Sequence, residues 1–174
     1  MRKPLDWNKT FFNIAEAISQ RSKDDSQQVG CVVVDKSHRI RSLGYNGMSS
    51  GINDADETGR YERPRKYFFF EHAERNAIYN ACRAGTSLID CKIFVPWPPC
   101  ADCARAIIQA GLNDVMVLTS MVKRRWLASC HAGQEMFEEA GVLTTVYENE
   151  FFSKVYRIAD IKAEREPKCK TTNS

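Results

Sequence analysis

Two short stretches of the chain gather residues able to bind a metal and to move protons: Glu71-His72-Ala73-Glu74 and Pro98-Pro99-Cys100-Ala101-Asp102-Cys103. Cys100 follows His72 by 28 positions. One imidazole and two thiolates can fill three corners of a tetrahedral zinc ion and leave the fourth open to water. Zinc lowers the pKa of such a water enough to make it a nucleophile near neutral pH. Glu74, two residues beyond His72, is then free to carry protons instead of binding metal. The pattern points to metal-assisted hydrolysis, with His72, Cys100 and Cys103 as ligands and Glu74 as acid and base.

Simpler readings compete. His-x-Glu alone is a weak signal, and Cys-x-x-Cys alone fits a redox pair or half of a structural zinc site. A closed structural site needs a fourth ligand. His38, His131 and Cys130 are the remaining candidates, and none stands at tight ligand spacing to the others. A buried histidine beside two reduced core cysteines is the third reading.

The elements around the two stretches suit a metal site. Glu71 to Gly85 is expected to be a helix with Ala73, Ala77, Ile78 and Ala81 on its apolar face and Gly85 as its stop. Cys91 to Trp97 reads as a core strand ended by Pro96, Pro98 and Pro99. Asp102 to Ala110 follows as a helix stopped by Gly111, so the cysteines fall at a helix start, where backbone N–H groups and the dipole favour thiolates.

Upstream, Asp6 to Ser22 reads as an amphipathic helix, with Trp7, Phe11, Ile14, Ala15 and Ile18 recurring at helical spacing and Asp6 as N-cap. Residues 21–26 read as a polar loop. Val29 to Asp35 is a continuous apolar run, as in a strand buried on both faces. Arg39 to Tyr45 alternates and completes a hairpin, with His38 exposed at the turn. Asn46 to Tyr67 is long and irregular, and loops of that length in compact domains are usually functional; it is expected to form a lid or rim over the site. Its Arg60, Arg63, Arg65 and Lys66 are candidates for phosphate, offset by interleaved acids. Asp114 to Thr119 reads as a strand, Met121 to Ser129 as a polar loop, His131 to Ala140 as a helix, Val142 to Tyr147 as a strand and Phe151 to Glu164 as a last helix. The order predicts an α/β domain of three α-β-α layers with about five strands, those joined by helices running parallel. One domain is expected over 1–164, with a polar tail at 165–174.

With 174 residues, 43% apolar and 27% charged, the composition fits one globular domain. A net charge of +3 is too small to argue for a polynucleotide partner. No apolar run reaches the length of a membrane span, and the N-terminus lacks the apolar stretch of a secretory signal. Seven cysteines, mostly in apolar segments, fit a reducing cytoplasm.

These residues resemble the cytidine deaminase-like superfamily, and within it the deoxycytidylate deaminases. The His-x-Glu and Pro-Cys-x-x-Cys halves match the signature of zinc nucleobase deaminases. Arg21 to Val34 (RSKDDSQQVGCVVV), Gly44 to Asp54 (GYNGMSSGIND) and Pro98 to Gly111 (PPCADCARAIIQAG) carry the closer likeness. The resemblance implies a cytidine deaminase-like fold and deamination of dCMP to dUMP at catalytic zinc, with dCTP, CMP or a purine nucleotide as alternative substrates. It implies that Asn46 holds a sugar hydroxyl, that Arg21 and either Arg124 or Arg125 stand near the phosphate, and that Ala73 is among the substrate-binding residues. It further implies a homo-oligomer, hexamer or dimer, controlled by dCTP and dTTP. A polynucleotide deaminase would need a basic aromatic groove, for which Trp97 and Trp126 are the candidates. The chain departs from the family pattern at Ser49, where proline is frequent, and at Arg75 directly after Glu74.

Overall fold

The computed structural model describes residues 3–119, 122–147 and 155–157. Helix α1 (Trp7–Ser19) is capped by Asp6, whose carboxylate accepts from the backbone N–H of Asn8 at 2.9 Å. Strands β1 (Gly30–Val34) and β2 (Ile40–Tyr45) form the expected antiparallel hairpin. After the two-residue strands β3 (Gly47–Met48) and β4 (Phe70–Glu71) come α2 (Ala73–Arg83), β5 (Lys92–Val95), α3 (Ala101–Gln109), β6 (Asp114–Val117), α4 (Leu127–Ala140), β7 (Leu143–Tyr147) and β8 (Val155–Arg157).

The main sheet runs β2-β1-β5-β6-β7-β8. Strands β5, β6 and β7 are parallel, as their helical crossovers require. Strands β2 and β5 are both antiparallel to β1, so the crossover through α2 also joins parallel strands. The sheet is thus mixed, and the α/β reading with about five strands holds, extended by the short β8.

Side chains alternate along strands buried on both faces. Cys31, Val33, Ile93, Val95, Val115 and Val117 pack on one side with Ala73, Ala77, Ile107 and Phe137, from α2, α3 and α4. Val32, Val34, Phe94 and Met116 pack on the other with Phe11, Phe12 and Ala15 of α1. This gives the three α-β-α layers.

Three expectations change. Helix α4 begins at Leu127, inside the segment read as a polar loop, because its start carries no side-chain cap for the sequence to reveal. Helix α2 begins at Ala73 and not at Glu71, so His72 is its N-cap and lies just outside its first turn, whereas Cys100, the N-cap of α3, stands at a helix start as expected. Within the expected last helix, Val155–Arg157 is a strand antiparallel to β7; the open edge of β7 offers backbone partners that a helix would leave unmet. The rest of that segment, the 165–174 tail and the domain boundary at 164 lie outside the described residues.

The spacing of the two half-sites follows from this layout. The 11 residues of α2 descend about 16 Å from His72. The four residues of β5 return about 13 Å to the same end of the sheet, where α3 starts. Helix α2 is pinned to the hairpin: Ser42 Oγ donates to the Ala77 carbonyl at 2.6 Å, and Asn76 and Asn80 donate to the carbonyls of Tyr45 (2.8 Å) and Leu43 (2.9 Å). Gly44 permits this approach, since a Cβ there would overlap the Ala73 carbonyl oxygen and stand 2.5 Å from the Ala77 nitrogen. Gly44→Ala is expected to destabilise the fold by about 1–3 kcal/mol, the usual cost of overpacking. Urea unfolding checks this; an unchanged midpoint would mean that α2 can move away freely.

Candidate active site

The N-termini of α2 and α3 meet at one cavity. His72 (φ −76°, ψ 158°) and Cys100 (φ −70°, ψ 169°) are extended N-cap residues whose side chains make no capping hydrogen bond. Their side chains are therefore available to each other: His72 Nδ1 lies 3.5 Å from both Cys100 Sγ and Cys103 Sγ. A tetrahedral zinc with ordinary bond lengths sets nitrogen and sulfur about 3.6 Å apart, so this donor set fits the ion. Among the described residues no further His, Cys, Asp or Glu joins the cluster within 4.8 Å. His38, at the β1–β2 turn, stacks on Trp7 at 4.8 Å. Cys130 donates to the Pro98 carbonyl at 3.3 Å. A closed four-ligand site is not what these residues build.

Electrostatics favour an anion-rich centre. Two helix N-termini point partial positive charge at it. Contact with the Cys103 thiol, and with His72, draws the Cys100 thiol down to about 4 against its burial. Cys103 is pushed the other way, first by sharing its proton with Cys100 and then by burial. Burial favours neutral His72, yet its contact with Cys100 and nearby Glu74 carry its pKa above the ordinary value. Glu74 is 5% exposed and has its pKa raised, chiefly by burial. A carboxyl so placed takes and returns protons more readily than a solvated one. Burial, with Cys100 and Glu74 nearby, pushes Cys130 up to about 12, so it remains a thiol.

Helix α4 buttresses the cysteine half. Ser129 Oγ accepts from the backbone N–H of Ala101 at 3.1 Å, so a residue inside α4 caps α3. Gly133 lets the two come together, because a Cβ there would stand 2.9 Å from the Pro99 carbonyl oxygen.

The cavity measures about 510 Å³ and is lined by His72, Ala73, Glu74 and Cys100, together with Asn46 and Arg125. Arg21 is exposed, and neither it nor Arg124 lines the wall. Trp97 and Trp126 both line it, and Trp126 sets its ring edge against His72 at 5.4 Å. The segment between β3 and β4 supplies a wall through Arg63, Lys66 and Tyr67. It is rooted by the β3–β4 pairing and braced by Arg60 and Tyr61, which donate to the carbonyls of Asn53 (2.9 Å) and Asp54 (2.8 Å).

The sequence reading offered Lys66 to phosphate and missed its pairing with Asp24. Lys66 is buried and ion-paired to Asp24, and donates to Ser26 Oγ at 3.0 Å. Asn46 Nδ2 donates to Asp24 at 3.1 Å and to the Gln27 carbonyl at 3.0 Å, while its Oδ1 accepts from Val29 at 2.7 Å. Both amide hydrogens are thereby used, and one acceptor lone pair remains. Lys66 is neutralised by Asp24, and Arg75 pairs with Glu71. The cavity's other cations, Arg63, Lys123 and Arg125, have no ion pair among the described residues. Lys123 donates to Gln27 Oε1 at 2.5 Å.

A family described as the cytidine and deoxycytidylate deaminase zinc-binding region matches residues 5–119. The chain belongs to this family. It is 42% identical over 141 residues to an uncharacterized deaminase in the luxG 3′ region of Aliivibrio fischeri, covering 80% of this chain and 92% of that one. It is 35% identical over 142 residues to human deoxycytidylate deaminase, covering 79% and 78%. Among solved structures, dCMP deaminase from cyanophage S-TIM5 in complex with dCMP and dUMP superposes with a TM-score of 0.65 at 26% identity, covering 84% of this chain and 99% of that one. The fold, the donor set and these relatives make the chain a nucleotide deaminase. No helix among its described residues is long and apolar enough to cross a membrane.

The deaminase's Asp24–Lys66 pair gives a pH-dependent expectation. Burial alone would raise the Asp24 carboxyl, but Lys66 and Ser26 outweigh it and hold it below the usual range. Stability from a depressed carboxylate is fully present above the unfolded value of about 3.9 and is lost as pH falls through the folded one. Lys66→Met strands a buried charge and is expected to cost about 3–5 kcal/mol at pH 7. The deficit should shrink toward pH 4 as the bare carboxyl takes up a proton. Urea unfolding at both pH values measures this, and equal stability of variant and parent at pH 7 would refute it.

Proposed function

We propose that the chain catalyses zinc-dependent hydrolytic deamination of dCMP to dUMP and ammonia. The observation that carries the reading is Glu74, buried in one cavity with the His72, Cys100 and Cys103 donor set. The relatives named deoxycytidylate deaminase support the substrate. His72, Cys100 and Cys103 would hold the zinc, which when bound supplies Lewis acidity and a lowered pKa for water.

The chain's own residues do the rest. Glu74 takes a proton from the attacking water as the new C–O bond forms at C4, and delivers it to N3 of the ring. It then takes the remaining proton of the new C4 hydroxyl as the C4 carbonyl forms and gives it to the exocyclic nitrogen, and the C–N bond breaks to release ammonia. Asn46 meets a sugar hydroxyl through its remaining acceptor lone pair, next to the Asp24 carboxylate. Ala73, between ligand and acid, lines the substrate side. Trp126 and Trp97 wall the ring's approach and help exclude water. Arg125, with Lys123 and Arg63, meets the 5′-phosphate as a charge-assisted contact, and Arg21 and Arg124 add to the positive field around it. The same reading takes the deaminase as a cytoplasmic homo-oligomer of deoxynucleotide metabolism, responsive to dCTP and dTTP.

Ammonia release from dCMP, dCTP, CMP, deoxycytidine, dAMP, dGMP and a short single-stranded DNA tests the substrate. Selective turnover of dCMP is expected, and turnover of only another member of the panel would refute it. Glu74→Gln should retain zinc yet lose about 10²–10⁴-fold in kcat. Arg125→Ala should raise KM for dCMP and spare deoxycytidine. Equal effects on both substrates would remove Arg125 from the phosphate contact, and Arg21→Ala and Arg124→Ala read their shares in the same way.

A further inference from the structure

Asp24, Lys66 and Asn46 are buried in the cavity wall, at 7%, 8% and 7% exposure. One carboxylate oxygen joins them. Asp24 Oδ2 accepts from Lys66 Nζ and, at 3.1 Å, from Asn46 Nδ2. The ammonium and the amide therefore stand side by side. The other oxygen of Asp24 is taken by the backbone N–H and the hydroxyl of Ser26, at 2.9 and 2.7 Å.

Counting donors and acceptors shows what this wall offers a ligand. A lysine ammonium has three N–H donors. Among the described residues two are used, by Asp24 and by Ser26 Oγ at 3.0 Å. Phe70 sets its ring centroid 5.1 Å from Nζ, so it brings an aromatic face and no hydrogen-bonding oxygen. One donor is left. Beside it, Asn46 Oδ1 keeps one lone pair after accepting from Val29. A buried polar group without a partner is costly, so the two select a ligand group that both accepts and donates. A hydroxyl does both from one atom. Phosphate only accepts, and its charge would meet the Asp24 carboxylate. The ion pair with Asp24 thus turns Lys66 from a phosphate candidate into a donor for a neutral oxygen. The 3′-hydroxyl is the one hydroxyl on the sugar of dCMP.

We propose that Lys66 is a specificity-determining residue: it donates its third N–H to the substrate's 3′-oxygen while Asn46 Oδ1 accepts the hydrogen of the same hydroxyl. The inference rests on reading the cavity as a site for dCMP.

The test compares the full-length parent with Lys66→Gln, which keeps two donors for Asp24 and Ser26 and removes the third. Far-UV circular dichroism checks the fold. The substrates are dCMP, 2′,3′-dideoxycytidine 5′-monophosphate and its 3′-fluoro analogue, each read as kcat/KM for ammonia release. The parent should prefer dCMP to the dideoxy analogue by at least about 10²-fold. Lys66→Gln should lower that preference by about 10–100-fold, the share of a hydrogen bond to a charged group. A residue that served only stability would slow both substrates alike and leave the preference where it is. The fluoro analogue gives a sign test on the parent alone. Fluorine cannot donate, so it gains from a facing ammonium and is repelled by a facing amide oxygen. The parent should therefore turn over the fluoro analogue faster than the dideoxy one, and Lys66→Gln should erase that advantage. If the fluoro analogue is no better than the dideoxy one, or the variant keeps the parent's preference, the inference fails and the contact from Asn46 stands. If the parent takes dCMP and the dideoxy analogue equally, neither residue meets the hydroxyl, and the dCMP reading survives alone. If the parent releases no ammonia from dCMP, that reading fails and the inference with it.

Discussion

The structure depends on bringing two helix N-termini to one point. Helices α2 and α3 each present an extended N-cap residue, His72 and Cys100, and each adds a functional group from its first turn, Glu74 and Cys103. Thiolates and a carboxylate repel one another, and a dry cavity amplifies the repulsion. The helix ends offset it with oriented N–H groups and partial positive charge. The same site on helix C-termini would face the wrong end of both dipoles.

The rest of the fold holds that meeting point. Strand β5 returns the chain from the far end of α2 to the start of α3, and its burial on both faces fixes its height in the sheet. The hairpin grips α2 through Ser42 and the carbonyls of Leu43 and Tyr45. Helix α4 grips α3 through Ser129 and the close approach at Gly133. On the opposite face α1 shields Phe94 and Met116 from water. The short β3–β4 pairing roots the long intervening segment between Asn46 and His72, so a wall of the cavity is anchored at both ends beside the chemistry.

What the sequence revealed divides along physical lines. His72, Glu74, Cys100 and Cys103 were legible because their chemistry lies in short spacings next to helix starts. The strands were legible because both-face burial leaves apolar runs such as Val32 to Val34. The Asp24–Lys66 pair was not: its partners are 42 residues apart and each sits in an ordinary polar stretch. The start of α4 was hidden because Ser129, which looked like loop, lends its hydroxyl to the neighbouring helix. Val155–Arg157 lies among apolar residues at helical spacing, and only the open edge of β7 makes it a strand. Ion pairs, caps shared between helices and sheet edges are tertiary facts, and local pattern does not encode them.

One measurement tests the central claim, that three residues hold the metal and leave a position for water. X-ray absorption at the zinc edge of the purified protein counts the ligands by type. The account predicts two sulfurs at about 2.3 Å and two lighter atoms at about 2.0–2.1 Å, one of them exchangeable. Three sulfurs would bring Cys130 into the shell and close the site. That result would contradict the assignment of Glu74 and the cavity to hydrolysis.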